Sequence, residues 1–407
     1  MPLLANRAIA GTTVSRIRRV LQKIISLRFD WSFPRKTDIL ILFTDTASQL
    51  SSYFPDRRVA VLDLESPRRN LWILLLSAAG GSIRIGRYLS TYISRTRPDL
   101  VLSAQDNFEP LWFLRLRHKT VIAVVQNGLR VNDPNSVPVA QESFVHSPHV
   151  DLYFCFNSST GDFLRKRIDA TYVPIGSFRS NHEPRTTESP DEKVSYISTF
   201  RADLPSNTLI PTNTPGRFVT YESILVRRIQ ILIEVAAFCD QSGLSLEVLG
   251  KDKDHSAEES FYRKHLGRRQ FNFKPRIPGS FQYLQCDSAR IVVSTGSTLG
   301  LENLARGNRT AVFDPLSTIL GNQAFQFGWP GLSDPEGPFW STQASPSRIQ
   351  QVLSSVLMAS EEQWKETLDD YRVALPLYDP GNSILVRELH TYGARLNGRR
   401  ESRNTLH

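Results

Sequence analysis

Residues 289–307 read ARIVVSTGSTLGLENLARG, and this stretch decides the fold class. Its first five residues have the length and the β-branched composition of a buried strand. Small residues from Ser294 to Ser297 then form a turn, and a helical pattern from Thr298 closes at Gly307. A strand that runs through a tight turn into a helix is the unit of a parallel sheet covered by helices.

The same alternation of strand and helix extends outward from this stretch. DILILF at 38–43 and LSLEVLG at 244–250 predict buried strands, and residues 222–243 predict a long helix that ends at a glycine. A polar, proline-containing segment at 181–192 interrupts the alternation and predicts a linker. We therefore predict an α/β protein with two Rossmann-like domains that face a central cleft.

The predicted division of the chain has five parts. They are a basic N-terminal segment (1–36), an N-terminal Rossmann-like domain (37–180), the linker (181–192), a C-terminal Rossmann-like domain (193–380) and a C-terminal tail (381–407).

The formal net charge of +9 resides in the two ends of the chain. Residues 1–36 hold eight basic side chains against one acid, and residues 394–407 hold four against one, which leaves −1 for residues 37–393. Nucleic-acid-binding proteins usually carry their positive surface on the folded domain, so we expect no nucleic-acid partner.

Residues 14–28, VSRIRRVLQKIISLR, combine apolar residues at helical spacing with basic residues on the rest of the helix. They predict a basic amphipathic helix that docks on an anionic membrane surface. The alternatives are a solvated helix packed on the body of the protein and a frayed N-terminal extension. No run of about 20 apolar residues predicts a membrane-spanning helix, and no signal peptide is recognisable. We expect a cytoplasmic protein, either free or peripheral on a membrane.

The cysteines predict neither a disulfide nor a zinc site. Cys155, Cys239 and Cys286 lie far apart and form no C-x-x-C pair, which fits a reducing cytosol. No histidine or carboxylate pair has the spacing of metal ligands. We therefore expect no metal and no cofactor.

The residues that follow the strands of the second half predict an anion site. The turn Ser294, Thr295, Gly296, Ser297, Thr298 lets a ligand approach the backbone, and the next helix offers free N–H groups to a phosphate. It matches neither the Walker nor the dinucleotide glycine pattern. Glu302 could accept bonds from ribose hydroxyls, and Lys251 and Arg201 follow two further strands. The alternative is an ordinary capped helix start with a surface glutamate.

Two polar clusters follow neighbouring strands of the first half. Asp106 is our first candidate for a general base and Glu109 the second, although Asp106 could instead cap the next helix. The other candidates in these clusters are Asn107, Gln126, Asn127 and Arg130.

Several short motifs, in their order along the chain, resemble the bacterial surface-carbohydrate biosynthesis family of lipopolysaccharide O-antigen and capsule gene clusters. The motifs are Asp106-Asn107, Gln126-Asn127-Gly128-x-Arg130, Gly176-Ser177-Phe178-x-x-Asn181, Ile197-Ser198-x-Phe200-Arg201, Ser297-Thr298-Leu299-Gly300-x-Glu302, Phe327-Gly328-Trp329-Pro330 and Gly337-Pro338-Phe339-Trp340. The resemblance covers about residues 37–380.

Such proteins are similar to GT-B glycosyltransferases, and the resemblance implies an acceptor site in the first domain and a nucleotide-sugar site in the second. The donor would contact Ser294–Glu302, Lys251 and Arg201, and the acceptor, a glycan or a lipid-linked glycan, would contact the first-half clusters. The resemblance also implies a metal-independent reaction. The alternatives are a nucleotide-sugar epimerase of the same fold and a non-catalytic glycan-assembly protein.

One residue departs from the pattern of related polymer-forming transferases. They often carry His-Gly where this chain has Asn127-Gly128. Because an asparagine cannot act as a base at neutral pH, either Asp106 or Glu109 takes that role, or the base lies elsewhere, or the chain is not catalytic.

Overall fold

The computed structural model describes residues 28–66, 68–114, 120–130, 148–186, 189–212, 214, 216–277, 282–321 and 327–392. The helix predicted over 14–28 therefore lies outside the described residues, except for Arg28, which begins a strand instead.

The strands, numbered β1 to β16, are Arg28–Asp30, Ile39–Leu42, Val59–Leu62, Arg68–Asn70, Leu100–Ser103, Val121–Val125, His149–Cys155, Asp169–Pro174, Asp191–Ile197, Leu209–Pro211, Phe218–Thr220, Ser245–Leu249, Asn272–Lys274, Ala289–Ser294, Thr310–Phe313 and Trp340–Ser341.

The α-helices, numbered α1 to α13, are Ala47–Ser51, Leu71–Ala79, Ile85–Thr96, Glu109–Trp112, Ser158–Arg165, Phe178–His182, Tyr221–Ser242, His255–Leu266, Tyr283–Asp287, Thr298–Ala305, Pro315–Ile319, Pro346–Met358 and Glu361–Asp370. A 3-10 turn, Pro380–Asn382, follows them.

Two six-stranded sheets form the framework. Their strand orders are β3-β2-β5-β6-β7-β8 and β13-β12-β9-β14-β15-β16. In the second sheet every pairing is parallel, and in the first sheet β2 pairs in parallel with β3 and β5, as β7 does with β8. The predicted α/β class with two Rossmann-like sheets is confirmed.

Hydrophobic burial explains why these segments become central strands. All four residues of β2 and of β5 are buried, as are the last four of β9 and β12, because helices cover both faces of a parallel sheet. In the second sheet, α7 contributes Ile231, Leu232 and Val235 to a core that continues into α12 and α13.

The chain divides into two compact units, Met1–Ala123 and Val124–His407, and the division falls inside β6. The second unit contains β7, β8 and the whole second sheet. The domain boundary predicted at 181–192 lies within this unit and stays a prediction.

The two ends of that predicted linker are regular structure. α6 runs to His182, and Asp191 and Glu192 already belong to β9. The N–H of Asp191 donates to the carbonyl of Ser288 at 2.8 Å, which extends the sheet beyond the apolar pattern that the sequence shows.

Candidate functional site

The turn after β14 is built by close contact between backbone and small side chains. Gly296 has φ +107°, a conformation that glycine adopts without strain. The N–H of Ser297 donates to Ser294 Oγ at 3.3 Å. α10 packs directly against the turn, since a Cβ on Gly300 would lie 2.4 Å from that of Ser294. A side chain larger than glycine at position 300 would push the helix start away.

Only part of this turn faces a cleft. Ser294 and Thr295 are fully buried, whereas Ser297 and Thr298 line an open cleft of about 190 Å³ in the second unit. Thr298 Oγ1 also accepts the N–H of Leu129 at 3.3 Å, which holds the turn after β6 against the start of α10. The cleft is smaller than the roughly 300–1,000 Å³ of sites for whole drug-sized ligands, so it would hold only one part of a ligand of that size.

Cations gather at the edge of the sheet where β9, β12 and β14 end. Lys251 and Arg276 line the cleft. The pKa of Lys251 is lowered, first by desolvation of its ammonium group and then by the positive charges of Arg228, Arg201 and Arg276, although the residue as a whole keeps exposed surface. Mutual repulsion of this kind is relieved when an anion binds among the cations.

Sequence reasoning missed Arg276 of this group and, in addition, the partly buried Arg228. Its guanidinium lies 3.6 Å from the position that a Cβ on Gly296 would take, and its buried Nε has no hydrogen-bond partner in the described part of the chain. Desolvation lowers the pKa of Arg228. The signal was present in the sequence, because Arg228 lies on the same face of α7 as the buried Ile224 and Ile231.

A further residue that sequence reasoning missed, Glu258, holds the loop that carries Lys251. Both oxygens of its buried carboxylate accept the N–H of Lys251 at 3.0 Å, and one of them also accepts the N–H of Asp252 at 3.0 Å. It also accepts the hydroxyl of Ser198, the residue that follows β9. One carboxylate therefore fixes two strand ends of the site.

Arg201 is engaged by a neighbour. Its guanidinium donates to both carboxylate oxygens of Asp203, at 2.9 and 3.1 Å. This pair raises the pKa of Arg201 and lowers that of Asp203. Both side chains are exposed, so exchange of Asp203 for a ligand phosphate would cost little. The predicted contact between Arg201 and the donor stays a prediction.

Glu302 lines the cleft with its carboxylate already hydrogen-bonded. Ser177 Oγ donates to one oxygen at 2.5 Å, and the hydroxyl of Tyr283 donates to the other at 3.0 Å. Burial raises the pKa of Glu302, and these two hydrogen bonds and Arg179 partly oppose that shift. Sequence reasoning gave Ser177 a motif position but no contact, and it did not name Tyr283. The predicted ribose contact stays untested.

The candidates after β6 have different surroundings. Both polar groups of the Gln126 side chain bond to backbone: its oxygen accepts the N–H of Phe156 and its amide donates to the carbonyl of Gly128, each at 2.8 Å. Asn127 lines the cleft. Arg130 lies beside the phenol of Tyr153, whose pKa burial raises to about 12 against the opposing charge of Arg130.

The candidate bases lie in the first unit. Asp106 is fully buried and Asn107 is exposed, in the turn that precedes α4. Glu109 begins α4, and its side chain lies outside the described residues. The roles predicted for these residues stay predictions.

Within the described ranges, no group of three or more histidine, cysteine, aspartate or glutamate side chains could hold a metal ion. Within the same ranges no helix is long and apolar enough to span a membrane. What the cleft offers chemically is positive charge, hydroxyl groups and a helix N-terminus, a combination that binds phosphate.

Several solved structures are similar to this chain in fold. The wall teichoic acid polymerase TagF is 10% identical, with 95% of this chain and 99% of that chain covered and a TM-score of 0.48. MnaA of S. aureus, solved with UDP, is 11% identical, with coverage of 89% and 97% and a TM-score of 0.49. The sucrose-phosphate synthase of Thermosynechococcus elongatus is 13% identical, with coverage of 89% and 99% and a TM-score of 0.47.

No curated protein matches the chain in sequence. A family model described as "putative O-antigen biosynthesis protein" matches residues 123–392, which is well over half of the chain. That range includes the turn after β14, the cations around it and Glu302. The chain therefore belongs to this family of O-antigen biosynthesis proteins.

Proposed function

We propose that the protein is a glycosyltransferase that moves a sugar from a nucleotide-sugar donor to a growing surface glycan of the lipopolysaccharide or capsule type. The observation that carries this proposal is the group of cations, Lys251, Arg228 and Arg276, around the turn after β14. Membership of the O-antigen family supports a glycan as the product.

The chemistry of the reaction matches these groups. The bond between the anomeric carbon and the phosphate oxygen breaks, and negative charge develops on the departing phosphate. Lys251 and Arg228 stabilise that charge together with the hydroxyls of Ser297 and Thr298 and the N-terminus of α10. These groups take the part that a divalent metal plays elsewhere, so we propose a metal-independent reaction. Glu302 orients the nucleoside by accepting bonds from the ribose.

The acceptor hydroxyl oxygen forms the new bond to the anomeric carbon as the phosphate leaves. Its proton passes to a carboxylate, with Asp106 as the first candidate and Glu109 as the second. Asn107, Gln126, Asn127 and Arg130 form the acceptor side of the site. The protein works at the cytoplasmic face of the inner membrane, where residues 14–28 bring it to a lipid-linked acceptor.

A thermal-shift and calorimetry screen with CMP, UDP, GDP and dTDP compounds tests the proposal. A ligand that binds only the folded protein must raise the melting temperature, so we expect one nucleotide base to stabilise the protein more than the others. No stabilisation by any of them would count against a donor site.

Product analysis by NMR with the preferred nucleotide-sugar then separates the activities. Transfer to added glycan supports the proposal, and conversion of the donor without an acceptor identifies an epimerase. Binding without turnover, together with normal surface glycan in cells that carry Asp106→Asn or Glu302→Ala, identifies a non-catalytic assembly protein.

A further inference from the structure

The first unit carries an exposed apolar surface on β1, the loop after it and α2. We call it the aromatic patch, and its members are Phe29, Trp31, Phe33, Trp72 and Leu75, with exposed fractions of 41, 70, 57, 44 and 54%. Three of these residues come from a nine-residue stretch at the beginning of the described chain, and two come from α2.

The aromatic patch is an ordered surface, because specific hydrogen bonds join the segment of β1 and its following loop to β4 and α2. β1 pairs in parallel with β4, with Phe29 opposite Arg69. The indole N–H of Trp72 donates to the carbonyl of Trp31 at 2.9 Å, and the side-chain amide of Asn70 donates to the carbonyl of Ser32 at 2.7 Å. The rings of Phe33 and Trp72 lie with centroids 6.3 Å apart.

The sequence of α2 makes this exposure unusual. The helix reads LWILLLSAA and has no charged residue, yet only Ile73 and Ser77 are buried. A helix that is apolar on all sides is normally enclosed by protein or lipid. Trp72 and Leu75, three residues apart, share the uncovered side.

The rim of the patch is basic. By the rim we mean the segments that carry and flank the patch, 28–36 and 68–87, which contain seven arginines and lysines and one acid. The exposed basic residues among them are Arg28, Arg35, Lys36, Arg68, Arg84 and Arg87. That acid, Asp30, accepts the N–H and the hydroxyl of Ser32. The surface therefore combines apolar rings with excess positive charge.

We propose that the aromatic patch docks on the surface of an anionic lipid bilayer. Tryptophan and phenylalanine rings enter the interfacial region of a bilayer, while the arginines of the rim bind the anionic headgroups. A second copy of the chain would bring two positive rims face to face, which disfavours a dimer. Residues 1–27, with five basic residues and no acid, would meet the same repulsion as a cover.

Partition of the full-length protein onto vesicles tests this proposal, with vesicles of phosphatidylcholine alone and of phosphatidylcholine with phosphatidylglycerol. We expect binding that requires phosphatidylglycerol and weakens with salt. The variant Trp31→Ala/Phe33→Ala should bind about ten-fold more weakly or worse, because two rings no longer leave water. Arg68→Gln and Arg84→Gln should each weaken binding about five-fold.

The matched control is Phe218→Ala, which removes a ring that is 56% exposed on β11, far along the chain from the patch. It should bind like the wild type. In a comparison variant, Arg16, Arg18, Arg19 and Lys23 are changed to glutamine. This variant measures how much residues 1–27 contribute to vesicle binding, separately from the aromatic patch.

The proposal fails if Trp31→Ala/Phe33→Ala binds vesicles like the wild type. This holds whatever the comparison variant does, because the proposal concerns the aromatic patch alone. It also fails if sedimentation shows that the wild type is a dimer and that Trp31→Ala/Phe33→Ala is a monomer. Circular dichroism and the melting temperature verify that each variant is folded.

Discussion

Arg228 is the residue that most directly tests the anion site. Its buried Nε lacks a partner in the described part of the chain, and its guanidinium lies beside Gly296. Hydrogen bonds to charged groups contribute about 1.5–3 kcal/mol, so Arg228→Met should weaken binding of the preferred nucleoside diphosphate about ten- to hundred-fold by calorimetry. Stability without ligand should not fall, because a desolvated charge is removed.

The neighbouring Arg227 provides the control, since it is exposed on the same helix. Arg227→Met removes the same charge from the chain and should leave nucleotide affinity within about two-fold. Equal affinities for both variants would remove Arg228 from the site.

Glu302 gives a prediction about pH. Its folded-state pKa is raised by burial above the ordinary value of 4.5. The carboxyl group therefore contributes stability that is fully present below pH 4.5 and is lost as the pH rises through the folded-state pKa. Glu302→Gln abolishes this titration. As the pH rises from 4.5 through the folded-state pKa, the free energy of unfolding of the variant should therefore increase relative to that of the wild type. Urea unfolding at a series of pH values measures the difference.

Glu362 supplies a control of opposite sign. Backbone and Ser360 hydrogen bonds lower the pKa of this exposed carboxyl, so its contribution is lost as the pH falls below 4.5. A difference between wild type and Glu302→Gln that does not change with pH would contradict the assignment for Glu302.

At the scale of elements, the contact between β14 and α10 depends on a glycine. A Cβ on Gly300 would lie 2.4 Å from the Cβ and 2.5 Å from the Oγ of Ser294, which is itself buried and held in the turn. Gly300→Ala should therefore destabilise the protein by about 1–3 kcal/mol in urea unfolding, and should also weaken nucleotide binding because the helix start moves.

Gly86 is the matched case in another helix. It lies in α3, and a Cβ there would meet nothing within 4 Å. Gly86→Ala should stabilise the protein by about 0.4–1 kcal/mol, because alanine lowers the entropy of the unfolded chain. If Gly300→Ala stabilised the protein instead, the turn after β14 would be able to shift and accommodate the added Cβ without cost.

The strands and helices with strong apolar periodicity could be predicted from the sequence. The long helix α7 ends before Gly243, which has φ +69°, as its pattern indicates. The short β1 and β4 could not be predicted, because RFD and RRN have no strand pattern and are held by their mutual pairing and by side-chain bonds from distant residues. The site was found in part for the same reason. Its turn is local in sequence, whereas the contacts of Arg228 and Glu258 arise only when distant segments pack.

At the scale of the molecule, one buried arginine joins four segments of the second unit. Arg306 pairs with Asp287 at 2.5 and 2.9 Å, and both side chains are completely buried. Its guanidinium also donates to the carbonyls of Ser180, Glu183 and Pro184 at 2.9–3.1 Å. It lies between the rings of Tyr283 and Tyr378, at 5.1 and 5.2 Å. The connection between β8 and β9 is therefore fixed to α9, to α10 and to the C-terminal segment.

Removal of this arginine should be costly because it leaves Asp287 charged, buried and without its main partner. Arg306→Met should lower the free energy of unfolding by about 3–5 kcal/mol. Arg387→Met, which removes an exposed arginine and its pair with Glu388, should cost less than about 1 kcal/mol. The double variant Arg306→Met/Asp287→Leu should be more stable than Arg306→Met, since no unpaired charge remains. Equal losses for Arg306→Met and Arg387→Met in urea unfolding would show that the buried pair does not hold the connection.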